Sequence, residues 1–198
     1  MDAVPYAPTG QNVRVEEHAS LRGQVLVASA TLLDPNFQRT VVLVAEHSDE
    51  GAMGVVLNRP SPVNAAEAVP ILASLVADDD LVHVGGPVQP GAVVALAEYE
   101  EPEEAAAIAF GDVGFLAADA DTEALAGALR RVRVYAGYAG WSPGQLEAEL
   151  EEEAWIVEPA VADDVFASDA DGLWPAILTR KGGQFALLAR MPLDPSVN

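Results

Sequence analysis

Apolar residues along this chain gather in short, strand-length runs broken by Gly, Pro and acidic residues. Residues 24–28 and 41–45 are two such runs, and the second is apolar at every position, as a strand buried on both faces requires. Between them, Asp34-Pro35-Asn36-Phe37 carries the proline of a turn at its second position. The polar segment 47–51 and the run 52–58 complete a hairpin with 41–45. Further strands are predicted at 81–84, 93–97, 113–116, 132–136, 155–157 and 185–189. Helical spacing occurs at 64–76, where Pro70 imposes a kink or a late start, at 122–129, and at 173–180, which Gly182-Gly183 stop. The clearest local signal is Ser142-Pro143-Gly144-Gln145, with Ser at N-cap, Pro at N1 and Gln at N3. The helix it opens carries Leu146 and Leu150 on one face and Glu147, Glu149, Glu151, Glu152 and Glu153 on the exposed one. Residues 98–104 read as an acidic, solvated loop. Strands follow one another directly and helices interrupt irregularly. The expected class is therefore α+β, a single compact domain with a mixed, mainly antiparallel sheet and flanking helices. That domain is placed at residues 18–198, with 1–17 as a flexible lead-in.

Composition narrows the function classes. The 198 residues are 51% apolar, enough for a sizeable core and too apolar for a disordered chain. A net charge of −21 argues against binding nucleic acid over the whole surface, and against anionic membranes. Direct DNA contact would need a local patch, for which Arg130, Arg131 and Arg133 are the candidates. The absence of Cys excludes disulfides and Cys-based zinc or redox sites. The first residues have neither a basic nor an apolar segment of the signal-peptide kind, and no apolar run approaches the ~20 residues of a spanning helix. A cytoplasmic location is the expectation.

No dinucleotide or P-loop fingerprint, no nucleophile elbow and no paired histidines occur, so no cofactor and no metal are expected. His18, His47 and His83 stand singly. His47 follows Glu46 at a strand end; it reads as a general base or metal ligand, or as a histidine bonded locally. His83, inside a strand directly before Gly85-Gly86, reads as a packed or half-exposed strand residue. Arg59 is a scarce cation at a strand end, placed to grip a carboxylate or phosphate, or to pair with one of 31 acids. Gly137-Tyr138-Ala139-Gly140-Trp141 leads into the capped helix. Its aromatics either stack on a flat ligand or plug the core.

The chain resembles the AlgH/YqgE-like family of bacterial proteins. The resemblance runs from about Gly23 to the C-terminus. It is carried in order by residues 33–41, Glu46-His47, residues 51–60, Gly85-Gly86-Pro87-Val88, residues 137–141, Gly144-Gln145-Leu146-Glu147 with Glu149, and Trp155. The ending from Leu173-Trp174 to Asn198 is similar to the actinobacterial branch. The resemblance implies a bent, partly split sheet forming a pseudo-barrel. No enzymatic activity is established for the family, and members are sometimes labelled transcriptional regulators. One departure stands out. Many members carry an acidic-Arg pair after the Gly-Gly-Pro turn and a His at position 97, where this chain has Gln89-Pro90-Gly91-Ala92 and Ala97.

The family's signature segments coincide with the loops and strand ends singled out above. Such positions serve sites more often than cores. His47, Asn58, Arg59, Gly85, Gly86, Tyr138, Trp141 and Gln145 are therefore expected to line one cleft. Three readings follow. The first is a cytosolic regulatory or binding protein whose cleft takes a small anionic or aromatic ligand, or a partner's peptide. The second is a hydrolase or transferase with His47 as base and Arg59 as anion holder. The third is a transcriptional regulator, with direct DNA binding disfavoured by the charge.

Overall fold

A computed structural model describes residues 20–191; the lead-in read at 1–17 lies outside the described residues. Ten strands and six helices are found there. The strands are β1 (Gln24–Ala28), β2 (Val41–Ser48), β3 (Gly51–Val56), β4 (Pro60–Asn64), β5 (Leu81–Val84), β6 (Val88–Tyr99), β7 (Ala107–Phe110), β8 (Val113–Phe115), β9 (Leu129–Trp141) and β10 (Trp155–Pro159). The helices are α1 (Ala65–Ala68), α2 (Thr122–Leu125), α3 (Gln145–Glu151), α4 (Ala162–Val165), α5 (Ala170–Lys181) and α6 (Gly183–Leu188).

The sheet runs β10-β1-β2-β3-β9-β6-β8-β7, with β4 and β5 as a branch. Every pairing is antiparallel except β5 with β9. The thirteen-residue β9 explains the split. Tyr135 and Ala136 pair with β5 on one edge and β6 on the other, while Ala139 to Trp141 pair with β3. One edge of β9 thus serves two sub-sheets in succession. The far end also bends back: the Arg22 guanidinium, just ahead of β1, donates to Ile108 O in β7, and Gly23 lies against Ala109 and Phe110.

The central strands divide their side chains between two layers. Val25, Val27, Val41, Leu43 and Val55 pack with Leu173, Trp174, Ile177 and Leu178 of α5. Leu26, Ala28, Val42, Val44 and Val56 pack with Leu146 of α3 and with Trp141 and Trp155. That is why residues 41–45 are apolar throughout. Each such side chain contributes roughly 1.5–3 kcal/mol on burial.

β10 is the end strand. Ser29 N–H donates to Ala154 O and Ala160 N–H to Gly23 O, so Trp155, Val157 and Pro159 turn their backbone outward. Pro159 has no N–H to offer there, and Val157 O accepts from Lys181 Nζ at 3.0 Å.

Several expected elements differ. Residues 185–189 are not a strand: Gly182, with φ 77°, ends α5 and α6 begins at once, with Phe185 under Lys181 Nζ at 5.1 Å. A short apolar run does not separate a strand from a packed helix. The helix expected at 64–76 is α1 followed by a 3₁₀ turn at Pro70–Leu72, because Pro70 offers no amide. The helix at 122–129 is one turn long, and β9 begins at Leu129. Glu98 lies in β6 rather than in a solvated loop; it is 8% exposed and bonded by Arg130 and Arg131. β4 and β7 went unread, β4 because of its two prolines. The regular helix of α3 starts at Gln145, preceded by Gly144 in the left-handed region. Gln145 Oε1 still accepts from Ser142 N–H at 3.0 Å, the half of the capping box that survives.

Candidate functional site

Two adjacent residues beyond β3 hold the 34–39 loop. Asn58 Oδ1 accepts from Val41 N–H at 2.9 Å, and its Nδ2 donates to Arg39 O at 3.0 Å. Arg39 sits between them with φ 55°, a conformation that a non-glycine residue holds only under restraint. Arg59 donates through Nη2 to Pro35 O at 3.3 Å and to Gln38 O at 3.0 Å. Among the described residues no carboxylate lies within 4.0 Å of it, so the ion pair weighed for Arg59 is not what holds it.

Arg59 forms part of the wall of two cavities. One, of about 200 Å³, is lined by Pro35, Asn36, Pro60, Val84, Gly86 and Pro87 among others. The other, of about 450 Å³, is lined by Gln38, Arg39, Asn58, Asp171, Trp174, Pro175 and Met191. The Arg39 guanidinium lies 4.7 Å above the Trp174 ring there. Gly85 and Gly86 bring the turn against β9. A Cβ on Gly85 would meet Gly137 O at 2.3 Å, and one on Gly86 would meet the Tyr138 carbonyl carbon at 2.2 Å.

His47, Trp141 and Gln145 assemble elsewhere, around α3. His47 Nδ1 accepts from Leu21 N–H at 3.0 Å, which assigns the ring proton to Nε2, and Nε2 donates to Glu147 Oε1 at 2.7 Å. Both ring nitrogens are engaged and the side chain is 5% exposed, so no lone pair faces a substrate. Glu149 collects three donors: Trp141 Nε1–H at 2.8 Å and Trp155 Nε1–H at 2.7 Å on one oxygen, and Gln145 Nε2–H at 2.9 Å on the other. Trp141 is 6% exposed and belongs to the core. Phe37 stacks on it at 6.2 Å between ring centroids and meets Trp155 edge-on at 5.7 Å.

The eight candidate residues therefore fall into two groups. Asn58, Arg59 and Gly86 lie at the 34–39 loop, with Gly85 beneath. His47, Trp141 and Gln145 lie at α3, and half-buried Tyr138 sits on β9 across from Val88. Neither cavity at Arg59 is lined by His47, Tyr138, Trp141 or Gln145. Phe37 joins the groups, since its neighbours in the loop are held by Arg59 while its ring packs against Trp141. Phe37, Glu149, Arg39 and Trp174 were absent from the candidate set. The turn signal at 34–37 and the spacing of Glu149 four residues after Gln145 were the available clues.

The arginines considered for DNA are occupied. Arg130 pairs with Glu98, Glu100 and Asp112, and Arg131 with Glu98 and Asp163. The Arg131 guanidinium, then Arg130, holds the Glu98 carboxyl below its ordinary range. Arg133 donates to Ala167 O at 2.6 Å. His83 is 6% exposed against Tyr135; burial first, and Arg133 second, push its pKa below the usual histidine value. Among the described residues no helix is long and apolar enough to cross a membrane.

Residues 25–186 match the family model described as AlgH-like (DUF179). The chain is similar to a UPF0301 protein of Thermobifida fusca, 42% identical over 193 residues, with 92% of this chain and 98% of that one covered. It is similar to a UPF0301 protein of Mycobacterium tuberculosis, 40% identical over 197 residues, covering 97% and 94%. A crystal structure of a Corynebacterium diphtheriae protein aligns with TM-score 0.79 at 29% identity, over 85% of this chain and 91% of that one. The solution structure of the AlgH protein from Pseudomonas aeruginosa aligns with TM-score 0.67 at 30% identity, over 89% and 96%.

Proposed function

The chain belongs to the AlgH-like family of UPF0301 proteins, and from that premise we propose that it is a cytosolic regulatory protein that binds a small anion-bearing ligand at the 34–39 loop. One observation carries the reading. Among the described residues Arg59 is a cation with only backbone carbonyls as hydrogen-bond partners, in the walls of two cavities, on a protein of net charge −21. Acids are abundant, and no carboxylate of the described residues lies within 4.0 Å of Arg59, so its charge is not neutralised by a direct ion pair there. Carboxylate and phosphate groups match the guanidinium fork. The binding reading is favoured over the hydrolase or transferase reading by the state of His47, whose two ring nitrogens are taken by Leu21 and Glu147.

The test is a thermal melt of the wild type and of Arg59→Gln against nucleotides, phosphorylated sugars and di- and tricarboxylates. A ligand at 100 times its Kd adds about 2.7 kcal/mol. That raises the midpoint of a domain of this size by roughly 5–10 °C. A rise in the wild type that is lost in Arg59→Gln supports the reading; an equal rise in both moves the site away from Arg59 and ends it.

A further inference from the structure

Arg59 holds the 34–39 loop with one nitrogen. Nη2 donates to both Pro35 O at 3.3 Å and Gln38 O at 3.0 Å, and it has two protons for all the acceptors it meets. A guanidinium grips a carboxylate or phosphate bidentately through Nε and Nη2 on its side, or through Nη1 and Nη2 at its end. Either fork takes an Nη2 proton. We infer that bidentate capture of an oxyanion by Arg59 displaces a loop carbonyl, and that Phe37 carries this release to Trp141 and Trp155. The inference rests on the anion-binding reading and adds its regulation: the loop and the anion compete for the same donor.

The carbonyl on the side of Nη2 that the fork takes is the one that yields. Asn58 is the latch that stays, because its contacts to Arg39 O and Val41 N–H involve no group of Arg59. Phe37 lies between the two carbonyls that Arg59 holds, and its ring touches both indoles. Both indole N–H groups end on Glu149 of α3, so a loop shift changes the surroundings of two reporters at once. A halide needs a single N–H and can be met by Nε or Nη1, leaving the latch closed.

The chain has three tryptophans and so three indole N–H signals in a ¹H–¹⁵N spectrum. The full chain would be titrated with citrate, with inorganic phosphate and with sodium chloride at equal ionic strength, with melting followed in parallel. Citrate or phosphate is expected to raise the midpoint and to move the Trp141 and Trp155 indole signals together with the Asn36 and Gln38 amides. Chloride is expected to move none of these signals, and its midpoint, which carries only the general screening by salt, is the baseline above which the citrate or phosphate rise is read. Phe37→Leu is expected to keep the rise in midpoint and lose the indole response. A rise in midpoint with both indole signals fixed overturns the inference and leaves the anion reading standing. If neither oxyanion binds, the anion reading fails for these probes and unliganded Arg59→Gln decides the latch. Its Trp141 and Trp155 signals displaced from the wild-type positions support the coupling, and unmoved signals overturn it.

Discussion

At the scale of single residues, the site depends on distances that leave no room for a methyl group. A Cβ on Gly85 would stand 2.3 Å from Gly137 O, a backbone atom that moves only with β9. Gly85→Ala is expected to destabilise the fold by about 3 kcal/mol. A calorimetric melt would show this as a midpoint lowered by roughly 6–12 °C. His83 gives a pH dependence with a definite sign. Its folded pKa is lowered, mainly by burial, so the unfolded chain binds the proton more readily. The stability tied to neutral His83 is complete above the unfolded value of about 6.5 and is lost as pH falls below it toward the folded value. Midpoints measured from neutral pH downward should fall less steeply in His83→Phe than in the wild type; equal slopes would remove His83 from the account. Asn58 and Arg59 stood out in the sequence as a polar pair closing an apolar strand, and the structure uses both to hold the backbone of the 34–39 loop. Their partners were not legible, since backbone carbonyls leave no trace in side-chain identity. Glu149 was one of five acids on a helix face, and nothing in its own letter set it apart.

Among the elements, α3 is fastened by its acids more than by its length of seven residues. His47 ties it to β2 through Glu147, and Glu149 ties it to β9 and β10 through two indoles. Glu149→Ala leaves two largely buried N–H donors without an acceptor, each costing about 1–3 kcal/mol. Glu149→Gln keeps an oxygen for the indoles and an amide group that no longer accepts from Gln145. Chemical denaturation is expected to show a loss of about 3 kcal/mol or more for the alanine variant and about 1 kcal/mol for glutamine. The β2–β3 hairpin was legible because two apolar runs flank a short polar stretch, although β2 itself continues through the polar residues Glu46 to Ser48. α6 was not, because five apolar letters serve a strand and a packed helix equally, and the choice is made by Gly182 and by contacts with α5. β4 was hidden by prolines that a short branch strand tolerates.

Over the whole molecule, two layers of core share one set of central strands, and the chain carries a net charge of −21, with most of its described acids exposed or half-buried. Such a surface repels itself, and salt screens the repulsion. Raising ionic strength from about 0.01 M to about 0.15 M shortens the Debye length from about 30 Å to about 8 Å, and the melting midpoint should rise with it. A midpoint that falls instead would mean that ion pairs such as those of Arg130 and Arg131 outweigh the repulsion. The overall class was legible because strand-length runs and irregular helices exclude a regular βαβ fold. The split along β9 came only from the family resemblance, since one strand pairing with two successive neighbours on one edge has no local signature. The pairing of β1 with β10 has a consequence for synthesis. A ribosome delivers β1 first, and the strand that covers its outer edge follows about 130 residues later. At roughly 5–20 residues per second that interval is on the order of ten seconds. Throughout it the nascent chain carries an apolar strand with one edge unpaired, so holding that strand apart from its neighbours on a polysome falls to the folding machinery of the cell.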